Sequence, residues 1–194
     1  MSTTAYYKKL DKSEFDSVIN IINKGGIIIY PTETIWAIGC KSTIKKSVLK
    51  VYELKKRSHN MPFINLLDHS NNLSKYINHI NFKVIDIEQE PNFPPTIIYP
   101  NCKKEYSFLS NDLNEISFRV TPVPELKKII KSINSPLISS SANISGDSFP
   151  KTIDNISSSI LNAVDVIINF DVKSSGKPSS VIKINKDQIE YLRK

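Results

Sequence analysis

The 194-residue sequence predicts one α/β domain, a sheet of mixed parallel and antiparallel strands with helices packed on it. Three observations carry that prediction. Short apolar runs ending in Pro, Gly or Ser alternate with stretches whose apolar residues recur every three or four positions. The length suits a single sizeable core, and no Pro/Gly/Ser-rich linker or change of composition divides residues 1–194. The middle of the chain is less regular than a strict strand–helix alternation, which implies some antiparallel pairing.

The elements follow in order. Asp11 and Glu14 form an N-cap pair, and Phe15, Val18, Ile19 and Ile22 then mark a helical face that Gly25 and Gly26 stop. A buried strand at 27–30 is closed by Pro31. The loop "PTETIWAIGCKST" supplies Thr or Ser as a cap near Ile44, and Ile44, Val48, Val51 and Tyr52 define the next helix. Further strands are predicted at 63–67, 96–99, 116–120, 137–140, 166–170 and 180–184, with helices near 70–78, 80–89, 124–133 and 153–163. Ligands of open α/β sheets sit at strand ends, and both "PTET" and "SSSANISG" begin where a predicted strand finishes. The two loops are expected to face one cleft.

Composition narrows the function classes. An excess of 26 Lys and Arg over 19 Asp and Glu leaves a net charge of +7, which favours anionic partners such as nucleotides or RNA without choosing between them. No apolar stretch reaches the length of a membrane span, and "MSTTAYYKKLDKSEFD" lacks the apolar core of a secretory signal, so a cytoplasmic protein is expected. Cys40 and Cys102 stand far apart with no CxxC pair, which points to plain thiols. His59, His69 and His79 are isolated and read as surface residues, and Trp36 reads as core.

Two segments invite a functional reading. In "PLISSSANISG" an apolar run breaks into small hydroxyls and an amide, which suits either a Ser-rich turn or a polar cradle that lets a ligand approach the backbone. In "VYELKKRSHNMPF", Lys55 and Arg57 sit at a helix end, where cations also complement the helix dipole. Pro62 and the strand-like "FINLL" favour an early end to that helix. In the extended backbone beyond, residues two apart point the same way, which would make Lys55 and Arg57 a cationic pair suited to phosphate.

"GGIIIYPTETIWAIGC", "VYELKKR" and "SPLISSSANISG", in this order, resemble the YrdC-like family of threonylcarbamoyl-AMP synthases. The family's Lys-x-Arg and downstream Ser-x-Asn correspond to Lys55 with Arg57 and Ser141 with Asn143. The segments around Arg119, Ser180 and Arg193 match as well, so the resemblance covers nearly the whole chain. It implies a twisted α/β sheet around a large basic cleft. The implied reaction joins L-threonine, bicarbonate and ATP into threonylcarbamoyl-AMP with release of pyrophosphate. A tRNA-modifying threonylcarbamoyltransferase complex would then transfer the group to tRNA.

By the same resemblance, Lys55 and Arg57 are the catalytic pair and bind ATP together with Ser141, Asn143 and Arg193. Thr32, Arg119, Ser139 and Ser180 line the threonine side, with Arg119 facing the carboxylate. Mg2+ is expected to bridge phosphate oxygens without dedicated protein ligands, Glu33 being the nearest acidic side chain.

Three departures from the family pattern stand out: Ala37 in "WAIG", Ser58 after Arg57, and "PNFPPT" at 91–96, where only Pro94 and Thr96 fit. Two rival readings remain, an RNA-binding module and a nucleotide-binding paralogue without catalysis. The first lacks a stripe of aromatics interleaved with basic residues, and the second is disfavoured by retention of all four motif residues.

Overall fold

The computed structural model describes residues 4–8, 10–78, 93–185 and 188–193, so the helix predicted at 80–89 and His79 lie outside the described residues. Strand β1 (Ala5–Tyr7) leads into helix α1 (Lys12–Asn23), which begins with a capping box. The Asp11 carboxylate accepts from the Glu14 N–H at 2.8 Å, and the Glu14 carboxylate accepts from the Asp11 N–H at 3.1 Å. Strands β2 (Ile28–Tyr30) and β3 (Ala37–Gly39) form an antiparallel pair whose connecting loop carries Thr32 to Trp36.

Helix α2 (Lys45–Lys55) starts at Ile44 with no side-chain cap, contrary to the expected Thr or Ser cap. The nearby hydroxyls are engaged elsewhere: Ser47 donates to the Gly25 carbonyl at 2.7 Å, and the Thr43 and Ser135 hydroxyls meet at 3.2 Å. Strand β4 (Ile64–Leu67) follows, then a 3-10 helix at Ser70–Lys75 in place of the longer helix expected at 70–78. Strand β5 (Thr96–Tyr99), strand β6 (Ile116–Val120), helix α3 (Pro124–Ile133) and strand β7 (Leu137–Ser141) fall close to their predicted positions.

The helix predicted at 153–163 divides into a 3-10 turn at Ile153–Asn155 and helix α4 (Ser158–Leu161). Between them Ile156 is extended and drops its side chain into the core. Strands β8 (Val166–Ile168), β9 (Val181–Asn185) and β10 (Gln188–Arg193) complete the chain.

The ten strands of the described residues join one sheet in the order β1-β8-β2-β3-β7-β4-β6-β5-β9-β10. Pairing is mixed: β8 is parallel to β1 and β2, while β7 is antiparallel to both β3 and β4. Apolar clusters cover both faces. On one side α1 and α3 bury Val18, Ile22, Leu126 and Ile129 against β2 and β8, and on the other α2 and α4 bury Val51, Tyr52 and Ile160. The close approach of β3 to β7 requires Gly39, since a Cβ there would lie 1.7 Å from the Ile138 carbonyl oxygen. That contact sets the end of β7, and with it Ser139 to Ser141, against the start of β3 and the loop before it.

Candidate active site

A cleft of about 440 Å³ opens where the end of β7 meets the β2–β3 loop, the α2–β4 loop, β5, β6 and the approach to β9. Thr32, Arg57, Arg119, Ser139, Ser141 and Arg193 all line it. Six of the nine residues predicted from sequence therefore converge, drawn from positions 32 to 193. Lys55, Asn143 and Ser180 are not among the lining residues.

Lys55 and Asn143 meet just beneath the cleft. The ammonium of Lys55, whose side chain is buried, donates to the carbonyl oxygens of Ser141 and of Asn143, the latter at 2.7 Å, and to Asn143 Oδ1 at 3.2 Å. The Asn143 amide in turn donates to the Asp147 carbonyl at 2.7 Å, and the Ser145 N–H donates to the Lys55 carbonyl at 2.9 Å. Two motifs 88 positions apart are thus one hydrogen-bonded unit that shapes the turn after β7. Burial, and secondarily the neighbouring Arg57 charge, push Lys55 down to about 7.

Arg57 emerges because α2 ends early. Lys56 adopts a left-handed conformation at φ +49°, and the Arg57 N–H donates back to the Tyr52 carbonyl at 3.0 Å. The guanidinium is then clamped by its own loop. Its Nε donates to the Met61 carbonyl at 2.8 Å, Nη2 donates to the Pro62 carbonyl at 3.3 Å, and its carbon lies 5.2 Å from the centre of the Phe63 ring. Burial lowers its pKa. Ser58 makes a local turn in which its carbonyl accepts from the Met61 N–H at 3.2 Å.

Thr32 lines the cleft, but its hydroxyl serves its own turn. It accepts from the N–H groups of Thr34 and Ile35 at 3.1 Å and donates to the Ile35 carbonyl at 2.7 Å. The Thr34 hydroxyl, 2.8 Å from that of Thr32, also lines the cleft. Arg119 on β6 sits with its Nε 3.1 Å from Glu33 Oε1, each side chain only 3% exposed. Arg193 donates through Nε to the Ser179 carbonyl at 2.8 Å, and its pKa is lowered by partial desolvation where the guanidinium enters the cleft and by the charge of Arg119. Ser139 lies beside the buried Tyr30 hydroxyl, which donates to the Ile138 carbonyl at 2.7 Å.

On the "PSSV" segment Ser179, not Ser180, reaches the cleft, with its hydroxyl 2.8 Å from that of Thr96. Side chains alternate faces along an extended strand, so a one-residue difference in register decides which serine points inward. Thr96 was legible as part of the family segment, whereas Thr34, Asn111 and Ser117 carried no signal in the sequence that marked them for the cleft. Among the other readings, His59 and His69 are exposed, Trp36 packs on the core, and Cys40 and Cys102 are buried free thiols.

Among the described residues no group of three or more His, Cys, Asp or Glu side chains is placed to hold a metal ion. Glu33, the nearest acidic candidate, is paired with Arg119 instead. No helix of the described residues is long and apolar enough to cross a membrane.

Fold and site together define an α/β protein whose arginine-lined cleft lies at the strand ends of a mixed sheet. The Sua5_yciO_yrdC family model, described as "Telomere recombination", matches residues 20–194. A protein of Methanocaldococcus jannaschii is 32% identical over 191 residues, covering 95% of this chain and 89% of that one. The threonylcarbamoyl-AMP synthase of Pseudoalteromonas translucida is 25% identical over 174 residues, covering 88% and 93%. The crystal structure of P. abyssi Sua5 complexed with L-threonine superposes with a TM-score of 0.85 at 20% identity, covering 98% of this chain and 57% of that one. This chain belongs to the Sua5/YciO/YrdC family.

Proposed function

We propose that the protein is an L-threonylcarbamoyladenylate synthase, a nucleotidyltransferase joining L-threonine, bicarbonate and ATP into threonylcarbamoyl-AMP. The observation that carries this reading is the bond between Lys55 and Asn143, which ties the Lys-x-Arg and Ser-x-Asn segments together beneath an arginine-lined cleft. Relatives named threonylcarbamoyl-AMP synthase that match most of this chain support it.

The chemistry needs no nucleophilic side chain. The threonine amine and bicarbonate give a carbamate with loss of water; a carbamate oxygen then attacks the α-phosphorus of ATP, and pyrophosphate leaves with the electron pair of the broken P–O bond. Catalysis by alignment and charge neutralisation suits the residues present. Arg57 and Arg193 keep guanidinium N–H groups beyond those bonded to backbone carbonyls, and these serve the phosphates. Lys55 supports them from beneath the Ser141–Asn143 turn, and Arg119 takes the threonine carboxylate beside Ser139. The three arginines support the reading of a basic cleft. Mg2+ arrives on ATP as part of the substrate and neutralises phosphate charge. The product passes to a tRNA-modifying threonylcarbamoyltransferase complex, and a cytoplasmic enzyme suits that hand-over.

The test is pyrophosphate release from ATP by purified protein, with and without L-threonine and bicarbonate, and mass detection of the adenylate. Release is expected to need both co-substrates and to fall about 100-fold or more in Lys55→Ala and Asn143→Ala, the scale of losing a preorganised electrostatic group. ATP binding without turnover would instead identify a non-catalytic nucleotide-binding paralogue, and RNA binding without ATP binding an RNA module.

A further inference from the structure

Glu33 is buried directly behind the cleft wall without lining it. Its backbone is held on both sides. The Thr32 hydroxyl fixes the turn through the N–H groups of Thr34 and Ile35, and the Glu33 carbonyl accepts from the Ser175 N–H at 2.8 Å. Its carboxylate meets Arg119 Nε at 3.1 Å, yet among the described residues neither carboxylate oxygen has a partner in hydrogen-bond geometry. A buried carboxylate is costly without compensation, and the Arg119 charge is the compensation visible among the described residues. Contact through Nε also leaves both terminal guanidinium nitrogens of Arg119, with their four N–H donors, for a ligand in the cleft.

We propose that Glu33 is a positioning residue that aims the free edge of the Arg119 guanidinium at the carboxylate of the amino-acid substrate. The proposal rests on the cleft being the threonine site described above. Arg119 lies close enough to Arg193 to lower its pKa, so without a fixed counter-charge it could turn toward ATP phosphates. Glu33 holds it to the amino-acid side, and a two-pronged guanidinium then favours a carboxylate over a neutral amide.

Steady-state pyrophosphate release and calorimetric binding of L-threonine and L-threoninamide, with wild type, Glu33→Gln, Arg119→Gln and the double variant, test this. In Glu33→Gln the KM for threonine should rise about 10-fold while that for ATP holds within twofold, and the preference for threonine over threoninamide should shrink by a similar factor. Adding Glu33→Gln to Arg119→Gln should cost no further threonine affinity. Glu33→Asp, which keeps the charge should the amide variant fail to fold, should lie between wild type and Glu33→Gln. An unchanged threonine KM in both Glu33 variants, equal rises for threonine and ATP, or a further loss in the double variant would overturn the proposal. Wild-type protein that binds no threonine would instead overturn the functional reading on which it stands.

Discussion

At the scale of single residues, Lys55 concentrates the site's electrostatics. Burial disfavours its ammonium and Arg57 repels it, which together bring it from an ordinary 10.5 to about 7. Below about 7 the folded and unfolded chains both carry the ammonium, and the folded one bears the full cost of burying it. Between about 7 and 10.5 the unfolded chain binds a proton that the folded chain does not, so this residue makes stability rise with pH across that window. Urea midpoints at pH 7 and pH 9 should therefore increase with pH in wild type, and the Lys55 share of that increase should vanish in Lys55→Met. On the proposed reading, ATP binding would reverse the local logic, because phosphate charge would favour the ammonium again. Calorimetry near pH 8 in buffers of differing ionisation enthalpy should show net proton uptake on ATP binding that Lys55→Met loses. Equal proton uptake in the two proteins would remove Lys55 from the neighbourhood of the phosphates.

At the scale of elements, the cleft depends on how closely β3 passes β7. With a Cβ at position 39 lying 1.7 Å from a backbone oxygen, Gly39→Ala must push the two strands apart or break their pairing. A loss of about 3 kcal/mol in a urea titration is expected, at the upper end of overpacking effects, together with weaker ATP binding as Ser139 to Ser141 move. A loss under about 0.5 kcal/mol would show that the approach is not tight. Element legibility followed the strength of local signals. The α1 capping box and the 3.6-residue faces of α2 and α3 are explicit in the sequence, and their helices form there. Strand β3 is three residues of which two are Ala and Gly, so it has no β pattern of its own and exists through pairing with β2 and β7. The short β1 and the exposed β10 likewise take their conformation from their neighbours.

At the scale of the whole molecule, the cleft is a meeting of distant segments, which is why dispersed motifs revealed it better than any one stretch. That Ser179 rather than the expected Ser180 lines the cleft follows from the same cause, since order along the chain does not fix which face a side chain takes. Arg193 makes the long reach testable. All six residues of β10 are exposed, including Ile189, Tyr191 and Leu192, and among the described residues the strand pairs only with β9. Removing residues 188–194 therefore takes little buried apolar surface from either core while deleting one of the three cleft arginines. The truncated protein should still unfold cooperatively, whereas its KM for ATP should rise about 10-fold, the scale of a lost charge-assisted hydrogen bond. Arg193→Ala in the full chain should reproduce that rise, and the threonine KM should stay near wild type in both, because Arg119 and Glu33 remain. If truncation raised the ATP KM but Arg193→Ala did not, β10 would serve the cleft by holding β9 in place rather than by supplying its arginine.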